Sequence, residues 1–306
     1  MIEVYPKKLD GKPLYIDDNI DTKITVTGRV SRLTYLQRKN RENIIQILPN
    51  KQYLDKRTGE VKDRQFKAKT RQDNIKNARK SLQRLRDLIN TNCLVLSHIA
   101  WITFTYAENM TDSKKLLSDF KIFNTLYRRK IGNYEYITAV EPQARGAWHI
   151  HAFFIFDYEP YLDYDLIRRV WGHGRVEVQY LRGDVDNLGA YLSAYLTNAE
   201  LHDKAELQGY HNIDIVSCER TSKSYAKGQR IYMYPARMKI YRKSKNILQP
   251  TEEWTTAKEA RKKVSLYELT FENYVEAEIK TKNGNYTNKI YTEYYNSSPR
   301  KNQEEN

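Results

Sequence analysis

The triplet His149-Ile150-His151, inside the apolar run Trp148–Phe156, is the most chemically pointed feature of the chain. Side chains alternate along a strand, so both imidazoles project from one face about 7 Å apart while Ile150 turns the other way. Glu141 lies across the short connection Glu141–Ala147, where antiparallel pairing can bring its carboxylate beside the two rings. Two imidazoles and one carboxylate can hold a single divalent cation. The plainer alternative is a pair of polar residues on a solvated strand face. Unsatisfied imidazoles in an apolar run would be costly, which favours the metal. His173, in Trp171-Gly-His-Gly, is a rival ligand on a glycine-flanked turn, and the sequence suggests no partner for His98, His202 or His211.

A second pair sits downstream, in Gly189-Ala-Tyr191-Leu-Ser-Ala-Tyr195-Leu-Thr-Asn198. Residues four apart on a helix are neighbours on one face, so both hydroxyls can reach the same place. In a chain with 25 tyrosines this spacing alone also fits ordinary helix packing. A phenol with a pKa near 10 is a poor nucleophile at neutral pH, so chemistry here needs an electrophile polarised by a metal and held in line.

The elements that would position these residues read from periodicity and stop signals. Ile99–Tyr106, Tyr134–Val140, Trp148–Phe156 and Gly174–Tyr180 are expected strands. The third, apolar on both faces, is expected to be central. Thr111–Lys130 closed by Gly132, Asp163–Val170, and Val185–Leu196 capped near Asp184 or Asp186 are expected helices. Two long strands joined by a short connection imply antiparallel pairing, hence an α+β fold with an antiparallel central sheet flanked by helices. Upstream, a strand is expected at Lys23–Val30, with turns at Asp10-Gly11 and Thr58-Gly59. Lys62–Asn90 reads as a basic helix with ten Lys/Arg against Asp63, Asp73 and Asp87. Downstream, aromatic and basic residues interleave through Tyr225–Lys245, a helix is expected at Glu252–Val264, and Asn283-Gly284 between two alternating runs signals a hairpin. The division expected is a basic N-terminal extension over 1–95, a core over 96–200, and a C-terminal aromatic and basic region over 201–306.

The 306 residues can bury a real core, and a net charge of +14 points to a polyanionic partner. Two cysteines, Cys93 and Cys218, can build neither a disulfide framework nor a four-thiolate zinc site. A reducing cytoplasm is the expected compartment. No apolar run approaches the roughly 20 residues that span a bilayer, and Met1–Lys8 lacks the apolar stretch of a signal peptide. No Gly-x-x-x-x-Gly-Lys-Ser/Thr loop occurs.

Over residues 99–200 the motifs resemble those of the HUH endonucleases, specifically the rolling-circle replication initiators of plasmids and single-stranded DNA phages. Trp101-Ile-Thr-Phe-Thr-Tyr106 is similar to the family's first-strand motif, Glu141 with His149-Ile150-His151 to its metal motif, and Tyr191 with Tyr195 to its two-tyrosine nucleophile helix. The resemblance implies an HUH/RRM-like sheet and a site in which Glu141, His149 and His151 bind Mn2+ or Mg2+. It also implies metal-dependent nicking of single-stranded or hairpin origin DNA through a 5′-phosphotyrosine, leaving a 3′-hydroxyl that primes synthesis by a host polymerase with a host helicase. Many relatives carry a lysine three residues after a catalytic tyrosine; here Ala194 and Asn198 stand at those places, leaving the phosphate-orienting cation unassigned. Tyr191, nearer the positive end of its helix and beside Gly189, is expected to cleave first and Tyr195 to act at termination. Two alternatives remain. One is a transposase or mobilisation relaxase with the same chemistry; the other is a non-catalytic RRM-like nucleic-acid-binding module.

Overall fold

The computed structural model describes residues 7–9, 12–14, 16–37, 45–64, 68–143, 146–181, 187–197, 199–201, 215–218, 223–226, 229–281 and 284–297. The chain divides into two compact units, Ala68–Pro250 and a second composed of Met1–Lys67 with Thr251–Asn306. These boundaries differ from those expected near 95 and 200. The reason is that the basic helix and the aromatic-basic segment both bury side chains in the core of the first unit.

In that unit the elements run α1 (Ile75–Asn92), β1 (Ile99–Phe104), α2 (Ser113–Ile131), β2 (Glu135–Pro142), β3 (Trp148–Ile155), α3 (Tyr164–Trp171), β4 (Val176–Tyr180), α4 (Leu188–Thr197) and β5 (Tyr241–Lys243). The five strands form one antiparallel sheet in the order β4-β1-β3-β2-β5, so β3 is central, as its two-sided apolar pattern requires. Helix starts follow the expected chemistry: Asn74, Asp112 and Asp163 each accept a hydrogen bond from a backbone N–H of the first turn. Gly132 closes α2 at φ 91°, a conformation that favours glycine. The cap expected at Asp184 or Asp186 and the turn at Asp10-Gly11 lie outside the described residues.

Alternation gives the sheet two different faces. Phe104, Ile150 and Phe154 lie on one of them, under α2 and α3, with Phe104 ring centroids 4.7 Å from Phe123 and 5.0 Å from Trp171. The other carries Trp101, Thr103, Glu141, His149 and His151. α4 packs against β2, and α1 packs against α4. α1 itself buries Ala78, Leu82, Leu85, Leu88 and Ile89, so the segment expected as a basic helix is a core helix with its cations on the remaining face.

In the second unit, strands Thr251–Thr256, Asp21–Thr27, Val30–Leu36, Gly284–Asn296 and Glu268–Thr281 form an antiparallel sheet in that order, and helix Ala257–Lys263 packs on its Ile24, Leu33 and Tyr35 side. The helix expected over Glu252–Val264 is thus half strand: Glu252, Trp254 and their neighbours pair with Asp21–Val26, and helix begins only after the Thr256 cap. The strand expected at Lys23–Val30 resolves into two strands joined at Gly28, which takes φ 62°. The two strands flanking Asn283-Gly284 pair as a hairpin, with Asn283 itself outside the described residues.

Candidate functional site

Pairing register brings the expected residues together. His149 stands opposite Glu141 on β2, and His151 stands opposite Ala139 on β2 and Thr103 on β1. Directly opposed residues on one face have Cβ atoms about 5 Å apart, so the Glu141–His149 pair follows from register alone. His151 Nε2 lies 2.5 Å from Glu141 Oε2 and its Nδ1 lies 3.1 Å from Thr103 Oγ1, while Trp101 meets the ring edge-on at 6.2 Å. Glu141 and His151 are only 6% and 5% exposed. Burial pushes the His151 pKa down to about 4, against an opposing pull from Glu177, so the imidazole is neutral at pH 7. With Nε2 against a carboxylate, the ring proton sits there and Nδ1 accepts from the Thr103 hydroxyl.

Two of these partners were not foreseen. Arg230, on the 3-10 turn Gln229–Met233, ion-pairs with Glu141. It comes from the interleaved basic segment, where no spacing signal singles it out. Thr103 sits inside the first-strand motif, and its parity with Trp101 was the available signal. His173, the rival ligand, belongs to another cluster: its ring stacks on Tyr106 at 5.3 Å and its Nε2 lies 3.7 Å from Asp119, which also accepts from the Tyr106 hydroxyl at 2.5 Å.

Among the described residues no group of three or more His, Cys, Asp or Glu side chains is arranged to hold a metal ion. The donor types fit a divalent cation, and all three share a face. The Glu141 carboxylate is engaged by Arg230 and His151, so a bound cation and the guanidinium compete for it.

The tyrosine-bearing helix is held from two sides. Leu188, Leu192 and Leu196 are buried in the core. Toward α1 the contact is tight and polar: Gly189 N donates to Asn90 Oδ1 at 3.0 Å, Arg86 Nε donates to the buried Ser193 Oγ at 2.6 Å, and Asn187 Oδ1 caps the Ala190 N–H at 2.9 Å. Toward the sheet, the buried Tyr234 hydroxyl donates to Val140 O at 2.7 Å, with Leu196 O a second acceptor at 3.2 Å. Positions 191 and 195 fall in one row of α4, across the leucine stripe from Gly189 and Ser193. Their side chains, and that of Ala194, lie outside the described residues, as does Asn198.

Residues 99–200 match a family model of replication-associated proteins, the ORF2 type. The match begins at the first residue of β1 and runs past the end of α4, enclosing Glu141, His149, His151, Tyr191 and Tyr195. It covers a third of the chain and supports a replication initiator. No curated protein and no solved structure matches the chain. No helix among the described residues is long and apolar enough to cross a membrane.

Proposed function

We propose that the chain is a rolling-circle replication initiator of HUH type from a plasmid or single-stranded DNA phage. It cuts one strand of single-stranded or hairpin origin DNA and rejoins it. The observation that carries this reading is the shared face of Glu141, His149 and His151, with the Tyr191–Tyr195 helix packed on the strand that bears Glu141, all inside the span matched by a replication family.

Tyr191 or Tyr195 would attack the scissile phosphorus through its phenol oxygen, giving up its proton to solvent. The bond from phosphorus to the 3′ oxygen breaks, and that oxygen takes a proton to become the 3′-hydroxyl primer. The phosphotyrosine conserves the energy of the broken bond, so the second tyrosine or a returning 3′-hydroxyl can reseal the strand without a nucleotide cofactor. Held by Glu141, His149 and His151, a divalent cation, Mn2+ or Mg2+, would supply charge neutralisation at the phosphate. His151 contributes a neutral, buried ring. When its proton moves to Nδ1, with Thr103 Oγ1 accepting it, Nε2 is open as a ligand.

Mass spectrometry of wild-type protein incubated with an origin oligonucleotide and Mn2+ tests the proposal: a covalent DNA adduct on a peptide containing Tyr191 is expected. Tyr191→Phe should block that adduct, Tyr195→Phe should permit it and impair release of closed circles, and His149→Ala or His151→Ala should abolish it. Full nicking by both histidine variants would sink the metal assignment, and an adduct on Tyr195 alone would exchange the tyrosine roles.

A further inference from the structure

Beside the candidate site an open cleft of about 480 Å3 lies along the edge strand β5. Arg71 and Ser81 line it from the N-terminal side, and Lys239, Tyr241, Arg242 and Lys243 from β5 and the residue pair before it. These are two segments far apart in sequence, joined by the Arg71 guanidinium, which donates through Nε to Met238 O at 2.9 Å, and by the backbone pairing of Thr70 with Pro235. No Asp or Glu among the described residues lines the cleft. Four cations, two tyrosines (Tyr241 and, from β2, Tyr136) and a serine hydroxyl make a wall that favours phosphodiester oxygens and offers rings to unpaired bases.

Its position ties it to the sheet face already described. Tyr241 stands opposite Ala139, which stands opposite His151, so Tyr241 and His151 occupy one cross-sheet row, two strands and about 10 Å apart. Within the cleft the cations differ in role. Arg71 is bound to the Met238 carbonyl, and Lys243 Nζ lies 3.4 Å from the carbonyls of Ser244 and Ile247, so both brace the wall. Lys239 and Arg242 are exposed at its rim.

We propose that this cleft binds the phosphate backbone of single-stranded DNA flanking the cut position, with Lys239 and Arg242 as its phosphate contacts. The identification of the strand as the one being cut rests on the proposed function; binding itself does not. The test uses the full chain, a fluorescent 20-nucleotide single strand and EDTA, with affinity measured across a salt series. Lys239→Gln combined with Arg242→Gln should flatten the log–log slope by about 1.4 and weaken binding about 25-fold at 0.1 M salt, as loss of two single-strand phosphate contacts requires. The control is Lys121→Gln combined with Arg129→Gln on exposed positions of α2, which changes net charge equally and should leave slope and affinity as in wild type. Unchanged binding in the cleft variant, or equal losses in both variants, would overturn the proposal. All four substituted side chains are exposed, and an unchanged melting temperature confirms that the variants fold. Because the measurement needs neither metal nor cleavage, wild-type protein that binds but never forms an adduct would sink the cleavage reading while leaving this one standing.

Discussion

His151 is fixed at both ring nitrogens, by Glu141 at Nε2 and by Thr103 at Nδ1, and the second contact carries its own prediction. Removing the hydroxyl with Thr103→Val leaves a buried Nδ1 without its partner. Apparent Mn2+ affinity, read by calorimetry, should fall about 10-fold or more, whereas Thr103→Ser should retain it. Equal affinities for the Val and Ser variants would show that Thr103 only fills space. A different chemistry holds at Cys93, which is 7% exposed and whose thiol burial pushes far above its ordinary range. Thiolate is the reactive form, so Cys93 should resist a thiol reagent at pH 8 in the native chain and react on unfolding, as peptide mapping would reveal.

Helices α1 and α4 approach closely because position 189 has no side chain. A Cβ there would meet Arg86 O at 2.6 Å and Arg86 Cα at 2.8 Å, both backbone atoms that cannot swing aside. Helix propensity favours Gly189→Ala by about 1 kcal/mol, but overpacking against backbone costs about 1–3 kcal/mol or more, so the clash wins. We expect a net loss of about 1–2 kcal/mol in denaturant unfolding, together with impaired adduct formation as α4 moves relative to β2. A stability at or above wild type would mean that the two helices separate without cost. The Gly189 signal was visible in the sequence only as a residue beside Tyr191; its packing reason needed a partner helix about 100 positions upstream.

At the scale of the whole chain, Ala68–Pro250 is one continuous segment with its own core, while the other unit is assembled from both ends. The fragment 68–250 should therefore fold by itself with a single cooperative transition in circular dichroism, and form the DNA adduct. A fragment that is molten or inert would show that the terminal segments complete it. The net charge of +14 sets a second expectation. If about six phosphates are contacted, affinity of the full chain for single strands should fall with salt at a log–log slope of roughly −4. A slope near zero would remove the electrostatic argument for DNA.

Local pattern determined what depends on neighbours along the chain. The central place of β3, the shared face of His149 and His151, the caps at Asp112 and Asp163 and the stop at Gly132 follow from alternation, burial and backbone conformation over a few residues. The expected strand bounds held to within two residues at each end for the four strands of the core motif. Pairing decided the rest. Glu252 and Trp254 have a helical neighbourhood yet lie in a strand, because Asp21–Val26 offers them a sheet edge from the other end of the chain. Arg230 reaches Glu141, Asn90 reaches Gly189, and Arg71 meets the segment around Met238 across separations of 89, 99 and 167 positions. Contacts of that range leave no periodicity, since each is set by how whole elements pack. The candidate donors were therefore legible from spacing alone, whereas the residues that brace them, the cleft beside them and the division of the chain into units existed only once the sheet had closed.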